Sequence, residues 1–211
     1  MEKSAIILAG GISSRLEQDK GLLLLADKPL VEHVLDAVCD IVDETILVVS
    51  SKIQAGRFAR VVDSNVLIAV DASNLQTPLM GALTGFEEAH GMHSLLLPCD
   101  SPLVSKDVLL LLQELCVDKN AVIPRWPNGY MEPLQASYRT KPALEAIKTA
   151  LDQGKLDMRS MIGKLQDVLY VSTIALRQLD PGLRTFFNIN TLADLEKAES
   201  ILKSLNTYPK S

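Results

Sequence analysis

Five consecutive apolar residues, Ala5 to Ala9, stop at the pair Gly10–Gly11. A run so short and so apolar, ended by glycine, suits a strand buried on both faces, as in parallel sheets. The chain then reads Gly10-Gly11-Ile12-Ser13-Ser14. A strand opening into such a turn presents free backbone N–H groups where side chains are small or absent, so an anion can approach the main chain. Arg15 and Lys20 follow within reach and bring two fixed positive charges. Backbone donors and two cations suit a polyphosphate better than a neutral ligand. Two common phosphate patterns are excluded. The dinucleotide fingerprint G-x-G-x-x-G is missing, and Lys20 precedes Gly21 with no Ser or Thr after it, the wrong order for a P-loop.

Beyond this stretch, apolar runs alternate with helical patterns, which predicts βαβ units in an α/β fold, Rossmann-like, with a mostly parallel sheet and helices on both faces. Strands are expected at 45–49, 94–97, 121–124, 133–138 and 168–171, with one or two short strands inside 57–70 and another at 186–189. Helices are expected from Pro29, over 79–89, after Ser105, over 142–151 and 156–164, and after Thr191, which has Asp194 three residues on in a capping-box-like pattern. The 211 residues show no repeat or linker, so one domain is expected, with a nucleotide-binding half at about 1–104 and an acceptor-binding half at about 105–205.

A net charge of −5 argues against a general nucleic-acid or anionic-membrane binder, though not against one bound NTP. No apolar stretch approaches the ~20 residues of a membrane span, and with the first strand starting within a few residues of Met1 no signal peptide is expected. Cys39, Cys99 and Cys116 are odd in number and lack C-x-x-C spacing, which points to a reducing cytoplasm and no zinc site. His33, His90 and His93 suggest no catalytic role.

A second motif, Leu95-Leu96-Leu97-Pro98-Cys99-Asp100-Ser101-Pro102, places a carboxylate at the end of a strand. In parallel α/β sheets that end faces the ligand crevice, where a carboxylate can hold Mg²⁺ against phosphate oxygens. Asp100 is the candidate metal ligand; a turn or helix-capping aspartate is the alternative. A third motif joins Asp71 to Gln76-Thr77-Pro78-Leu79-Met80-Gly81.

These motifs together resemble the molybdenum cofactor guanylyltransferase family, within the nucleotide-diphospho-sugar transferase type of fold. The resemblance rests on L-A-G-G-x-S-x-R at residues 8–15, Asp19-Lys20, Lys28-Pro29-Leu30, Cys99-Asp100-x-Pro102, Glu132-Pro133-Leu134 and Phe187-Asn188-Ile189-Asn190-Thr191. It implies transfer of GMP from GTP to the phosphate of molybdopterin with release of pyrophosphate, Mg²⁺ as cofactor, and other cofactor-biosynthesis proteins as partners. It also implies nucleotide contacts from Leu8, Ala9, Gly10, Gly11, Ser13, Arg15, Lys20, Asp71 and Asp100, with Arg15, Lys20 and Asp100 catalytic. Arg159 is the candidate clamp for the acceptor phosphate, with a surface arginine as the alternative. Asn188 and Asn190 orient ligand or metal-bound water, unless they serve only the loop. The chain departs from the family pattern at Glu17 and Thr77, where glycine is usual, and at Ser50-Ser51, where the family often has an asparagine near the guanine. A cytidylyltransferase, a sugar-phosphate nucleotidyltransferase and an inactive nucleotide-binding module remain the alternatives.

Overall fold

The computed structural model describes residues 2–13, 18–71, 73 and 75–207. Seven strands form one sheet: β1 (Lys3–Leu8), β2 (Glu44–Val49), β3 (Val66–Val70), β4 (His93–Pro98), β5 (Ala121–Arg125), β6 (Ala136–Arg139) and β7 (Val168–Ser172). Their spatial order is β7-β5-β6-β4-β1-β2-β3. All neighbours run parallel except β6, which is antiparallel to both β4 and β5.

Alternation along β1 explains the layers. Side chains on a strand point to opposite faces in turn. Ala5, Ile7 and Ala9 meet helices α1 (Leu30–Val38), α2 (Lys52–Phe58) and α4 (Lys106–Leu115) through Val31, Val34, Val38, Phe58 and Leu109. Ile6 meets the opposite layer, α3 (Pro78–Glu88), α5 (Thr140–Asp152) and α6 (Met158–Ile162), through residues such as Ala82, Phe86, Ile147 and Met161. There Phe86 and the buried Tyr138 pack edge to face, with ring centroids 5.8 Å apart. Helix α3 lies so close to β1 that a Cβ on Gly85 would stand 2.2 Å from Ile6 Cγ2, so only glycine fits. The short α7 (Thr173–Leu176) and the final α8 (Leu192–Thr207) complete the fold. No helix among the described residues is long and apolar enough to cross a membrane.

Three expectations change. Val61 and Val62 form no strand; their N–H groups bond to Phe58 O at 2.9 Å and close the end of α2, a helix the apolar pattern did not reveal. Residues 186–189 are not a strand either. A single 3₁₀ turn, Arg184–Phe186, precedes Ile189, whose N–H bonds to the Asp100 carbonyl at 2.8 Å and so anchors the segment beside β4 rather than in a ladder. The expected strand at 133–138 begins only at Ala136, because residues 132–135 turn, with Gln135 N–H on Glu132 O at 3.3 Å.

Candidate active site

The sheet register brings the predicted residues together. Leu8 is opposite both Val48 and Pro98, and Val49 is opposite Val70. Gly10, Ser50 and Asp100 therefore each stand two residues beyond mutually aligned strand positions, and Asp71 stands level with Ser50. All four line one cleft of about 270 Å³ at the carboxyl edge, together with Leu8, Gly11, Gln76, Thr77, Gly81 and Leu134. The wall is largely apolar with a few polar groups, as small-molecule sites usually are.

The floor is held by a residue the sequence reading overlooked. Gln54, on α2, is buried, and its carboxamide uses every direction it has. Its Nε2 donates to Ala9 O at 3.0 Å and to Asp19 Oδ1 at 2.8 Å, and its Oε1 accepts from Ser50 N at 2.7 Å and Ser50 Oγ at 3.0 Å. Asp19, itself buried, also takes Arg57 at 3.0 Å. One side chain thus ties the glycine turn, the loop after β2 and the residue before Lys20. Ala9 is fully buried with its N–H on Val48 O at 2.7 Å, so its backbone groups are committed to the fold and it does not line the cleft. The sequence did carry a signal for α2. Ser51-x-x-Gln54 is a capping-box pattern, and Ser51 Oγ accepts from Gln54 N at 3.2 Å.

Lys20 and Asp100 meet above this floor. Lys20 Nζ lies 3.2 Å from Asp100 Oδ2 and 2.6 Å from Asn190 Oδ1. The other carboxylate oxygen, Asp100 Oδ1, is buried and has no hydrogen-bond partner among the described residues. Burial pushes the Asp100 carboxyl above its ordinary pKa, and the charge and hydrogen bond of Lys20 pull it back down. Asn188 belongs to a neighbouring network, its Oδ1 accepting from Ser101 Oγ at 2.5 Å and from Gln135 Nε2 at 3.1 Å. Gln135 also donates to Ser101 Oγ at 3.0 Å. Asn190 N–H bonds to Asp194 Oδ2 at 3.1 Å, so the last helix's cap fixes the loop that reaches Lys20.

The remaining candidates divide. Asp71 Oδ1 accepts from Ser73 N at 2.9 Å, a local turn at the edge of the cleft. Ser13 lies in a two-residue strand paired with Gln18–Asp19, and its side chain is outside the description. Arg15 and Glu17 lie outside the described residues. Arg159 faces a second cleft, of about 280 Å³, shared with Arg125 and Tyr170. The histidines stay out of both clefts: His33 bonds to Leu25 O at 2.9 Å and His90 to Glu44 at 3.3 Å, while His93 begins β4 at the opposite sheet edge. Among the described residues no group of three or more His, Cys, Asp or Glu side chains could hold a metal ion.

A family model for the MobA-like NTP transferase domain matches residues 5–168, most of the chain and every strand of this cleft. The chain belongs to the MobA-like NTP transferase family. The family's nucleotidyltransferase character agrees with the glycine turn, lysine and strand-end carboxylate. Among similar relatives, a probable molybdenum cofactor guanylyltransferase of Methanosarcina mazei is 35% identical over 199 residues, covering 92% of this chain and 88% of the relative. A molybdenum cofactor guanylyltransferase of Desulfosudis oleivorans is 30% identical, over 95% of this chain and 96% of the relative. Among solved structures, molybdopterin-guanine dinucleotide biosynthesis protein A from Archaeoglobus fulgidus superposes with a TM-score of 0.79 at 28% identity, over 96% of this chain and 100% of that one. A 2-C-methyl-D-erythritol 4-phosphate cytidylyltransferase from Thermus thermophilus shares the fold, with a TM-score of 0.70 at 17% identity over 96% of this chain and 100% of that one.

Proposed function

We propose that this chain transfers GMP from GTP to the phosphate of molybdopterin. An acceptor phosphate oxygen bonds to the α-phosphorus of GTP, the bond from that phosphorus to the α–β bridging oxygen breaks, and pyrophosphate leaves. The observation that carries the reading is Asp100: one carboxylate oxygen is paired with Lys20 at 3.2 Å and the other is buried and unpartnered among the described residues, both at the rim of the glycine turn. A buried carboxylate oxygen without a donor fits a hard, oxygen-seeking cation. Asp100 would hold Mg²⁺, with phosphate oxygens and water supplying its other ligands, since among the described residues lining the cleft Asp71 is the only other acidic side chain. The ion's contribution when bound is to neutralise charge on the phosphates.

The protein's own groups do the rest. The turn at Gly10 and Gly11 receives the phosphates with backbone donors, and Lys20 adds a positive charge that needs no reorganisation during transfer. Arg15 is assigned the same duty. Asp71 serves the nucleoside, and the apolar wall of Leu8, Val48 and Leu134 excludes water from it. Asn188, Asn190 and Arg159 serve the acceptor, in the half of the chain beyond residue 105. A phosphate monoester is mostly dianionic at neutral pH, its second pKa being about 6, so the nucleophile needs no general base. That agrees with a cleft without histidine. In-line positioning and charge neutralisation carry the catalysis. Three free cysteines suit work in a reducing cytoplasm.

The deciding experiment mixes the protein with GTP, Mg²⁺ and molybdopterin and follows pyrophosphate and dinucleotide. Asp100→Ala should lose about a hundredfold or more in turnover while keeping its fold by circular dichroism. Near-normal Mg²⁺-dependent turnover in that variant would sink the assignment.

A further inference from the structure

Lys20 carries the charge that meets Asp100, yet its own main chain is weakly held. It opens a 3₁₀ turn, Lys20–Leu22, and its N–H reaches Gly11 O at 3.3 Å, a long hydrogen bond. The grip comes from the residues on either side. Asp19 is bound by the Gln54 carboxamide at 2.8 Å. Gly21 is buried, and a Cβ placed on it would stand 3.0 Å from both Cε1 and Cζ of Phe58 and 3.2 Å from Cys99 Sγ. Gln54 and Phe58 are four residues apart on α2 and so share one helix face. One turn of helix therefore holds both neighbours of Lys20. Cys99, which also closes on Gly21, is the residue before Asp100. The Lys20–Asp100 pair, 3.2 Å apart, is thus flanked by a second contact one residue away on each chain segment.

Backbone conformation does not demand this glycine. Among the described glycines only Gly129 and Gly154 have positive φ, so the demand at Gly21 is for space. Phe58 is fully buried and Cys99 nearly so, in a close-packed core that resists displacement. Burial pushes the Cys99 thiol up, and the Asp100 charge adds to the effect. The thiol therefore stays protonated and supplies bulk rather than charge beside the carboxylate. On the other side of the turn, Leu22 and Leu23 are only partly buried and Leu24 is exposed. The turn is the part that yields, so a side chain on Gly21 would lift it and carry Lys20 away from Asp100.

We infer that Gly21 is a positioning residue for the transfer: wedged against Phe58 and Cys99, it sets the separation of Lys20 from Asp100. The inference rests on the roles that the proposed reaction gives to those two side chains, and adds what fixes their spacing. Lys20 can offer its charge without reorganisation only while its main chain is fixed. A displacement of about 1 Å in such a group can cost roughly a hundredfold in rate. Phe58 and Cys99 then do more than fill the core: one braces the residue after Lys20, and the other spaces it from Asp100.

The test is Gly21→Ala, with Gly56→Ala as its control, since a Cβ on Gly56 of α2 meets nothing within 4 Å. Calorimetry on folded protein should show Mg²⁺·GTP bound about tenfold or more weakly by Gly21→Ala, and within about twofold of wild type by Gly56→Ala. Trimming the brace should restore room, so Gly21→Ala/Phe58→Leu should bind within about threefold of Phe58→Leu alone. A glycine needed for packing alone would lower stability in urea and leave the folded protein's GTP affinity intact. A second readout needs no nucleotide. A double-mutant cycle of Lys20→Met and Asp100→Asn in urea unfolding should show a coupling of about threefold or more in the unfolding constant, lost in the Gly21→Ala background. GTP affinity within about twofold of wild type in Gly21→Ala would overturn the inference, as would a coupling that survives the substitution or a double variant with no recovery. A wild type that ignores Mg²⁺·GTP, with the coupling still lost in Gly21→Ala, would instead overturn the proposed reaction and leave the clamp standing.

Discussion

Replacing Gln54 with leucine tests how the floor of the site is built. The substitution keeps size and helix preference but removes every polar atom of the side chain. Two buried acceptors, Ala9 O and Asp19 Oδ1, lose their donor, and the partly buried Ser50 N–H loses its acceptor. A buried polar group left without a partner costs about 1–3 kcal/mol. Asp19 keeps Arg57, and Ser50 Oγ can turn to water, so the lower half of that range applies. The expected loss is about 3 kcal/mol, or roughly 6–12 °C in Tm for a domain of this size. Function should suffer alongside stability, because the orphaned carbonyl belongs to the glycine turn and Asp19 immediately precedes Lys20. GTP affinity measured at a temperature where the variant is fully folded should fall about tenfold. Urea unfolding followed by circular dichroism gives the first number and calorimetry the second. A stability loss below about 1 kcal/mol with unchanged GTP affinity would refute the argument, since the carboxamide would then be dispensable to both.

Lys20→Met removes a charged donor from Asp100 and, on the proposed assignment, from the phosphates, and should weaken Mg²⁺·GTP by about 10- to 100-fold in calorimetry. Gly85→Ala drives a Cβ to 2.2 Å from Ile6 Cγ2 and should cost about 1–3 kcal/mol in urea unfolding as α3 is pushed off β1. Asp194 has its pKa held below the ordinary value, first by the Thr191 hydroxyl and then by the Asn190 N–H. A depressed carboxyl contributes stability that is present above its unfolded pKa of about 3.9 and is lost as pH falls through the lower folded value. Stability measured from pH 6 down to about 3 should therefore fall less steeply in Asp194→Asn than in the wild type.

Much of the cleft was legible because backbone chemistry wrote it. Glycines after an apolar strand, and a carboxylate just past another strand, carry their meaning in local order, and the parallel register then aligns them without further instruction. Gln54 was illegible for the opposite reason. It sits on a two-turn helix whose one fully buried apolar side chain is Phe58, so the apolar period that marks a helix never develops. Its four partners lie at Ala9, Asp19 and Ser50, two of them more than thirty residues away, and no linear pattern links them. Asn188 and Asn190 were found by motif, yet the strand expected around them failed. The apolar alternation of Phe187 and Ile189 reflects packing beneath α8 rather than a sheet ladder.

The single reversed strand, β6, has a consequence for how such a protein can change. In a fully parallel sheet, consecutive strands are joined by helical crossovers that anchor the core. Here β5 and β6 are joined directly by a hairpin, residues 126–135, that opens at the catalytic edge. This hairpin brings Leu134 to one cleft and Gly129 and Met131 to the other, and Gln135 to Asn188. It can lengthen, shorten or exchange its side chains without disturbing any crossover or the glycine turn. If the acceptor lies on this side of the edge, as the proposed reaction has it, then exchanging this one hairpin between relatives would change acceptor choice while leaving the glycine turn as it is.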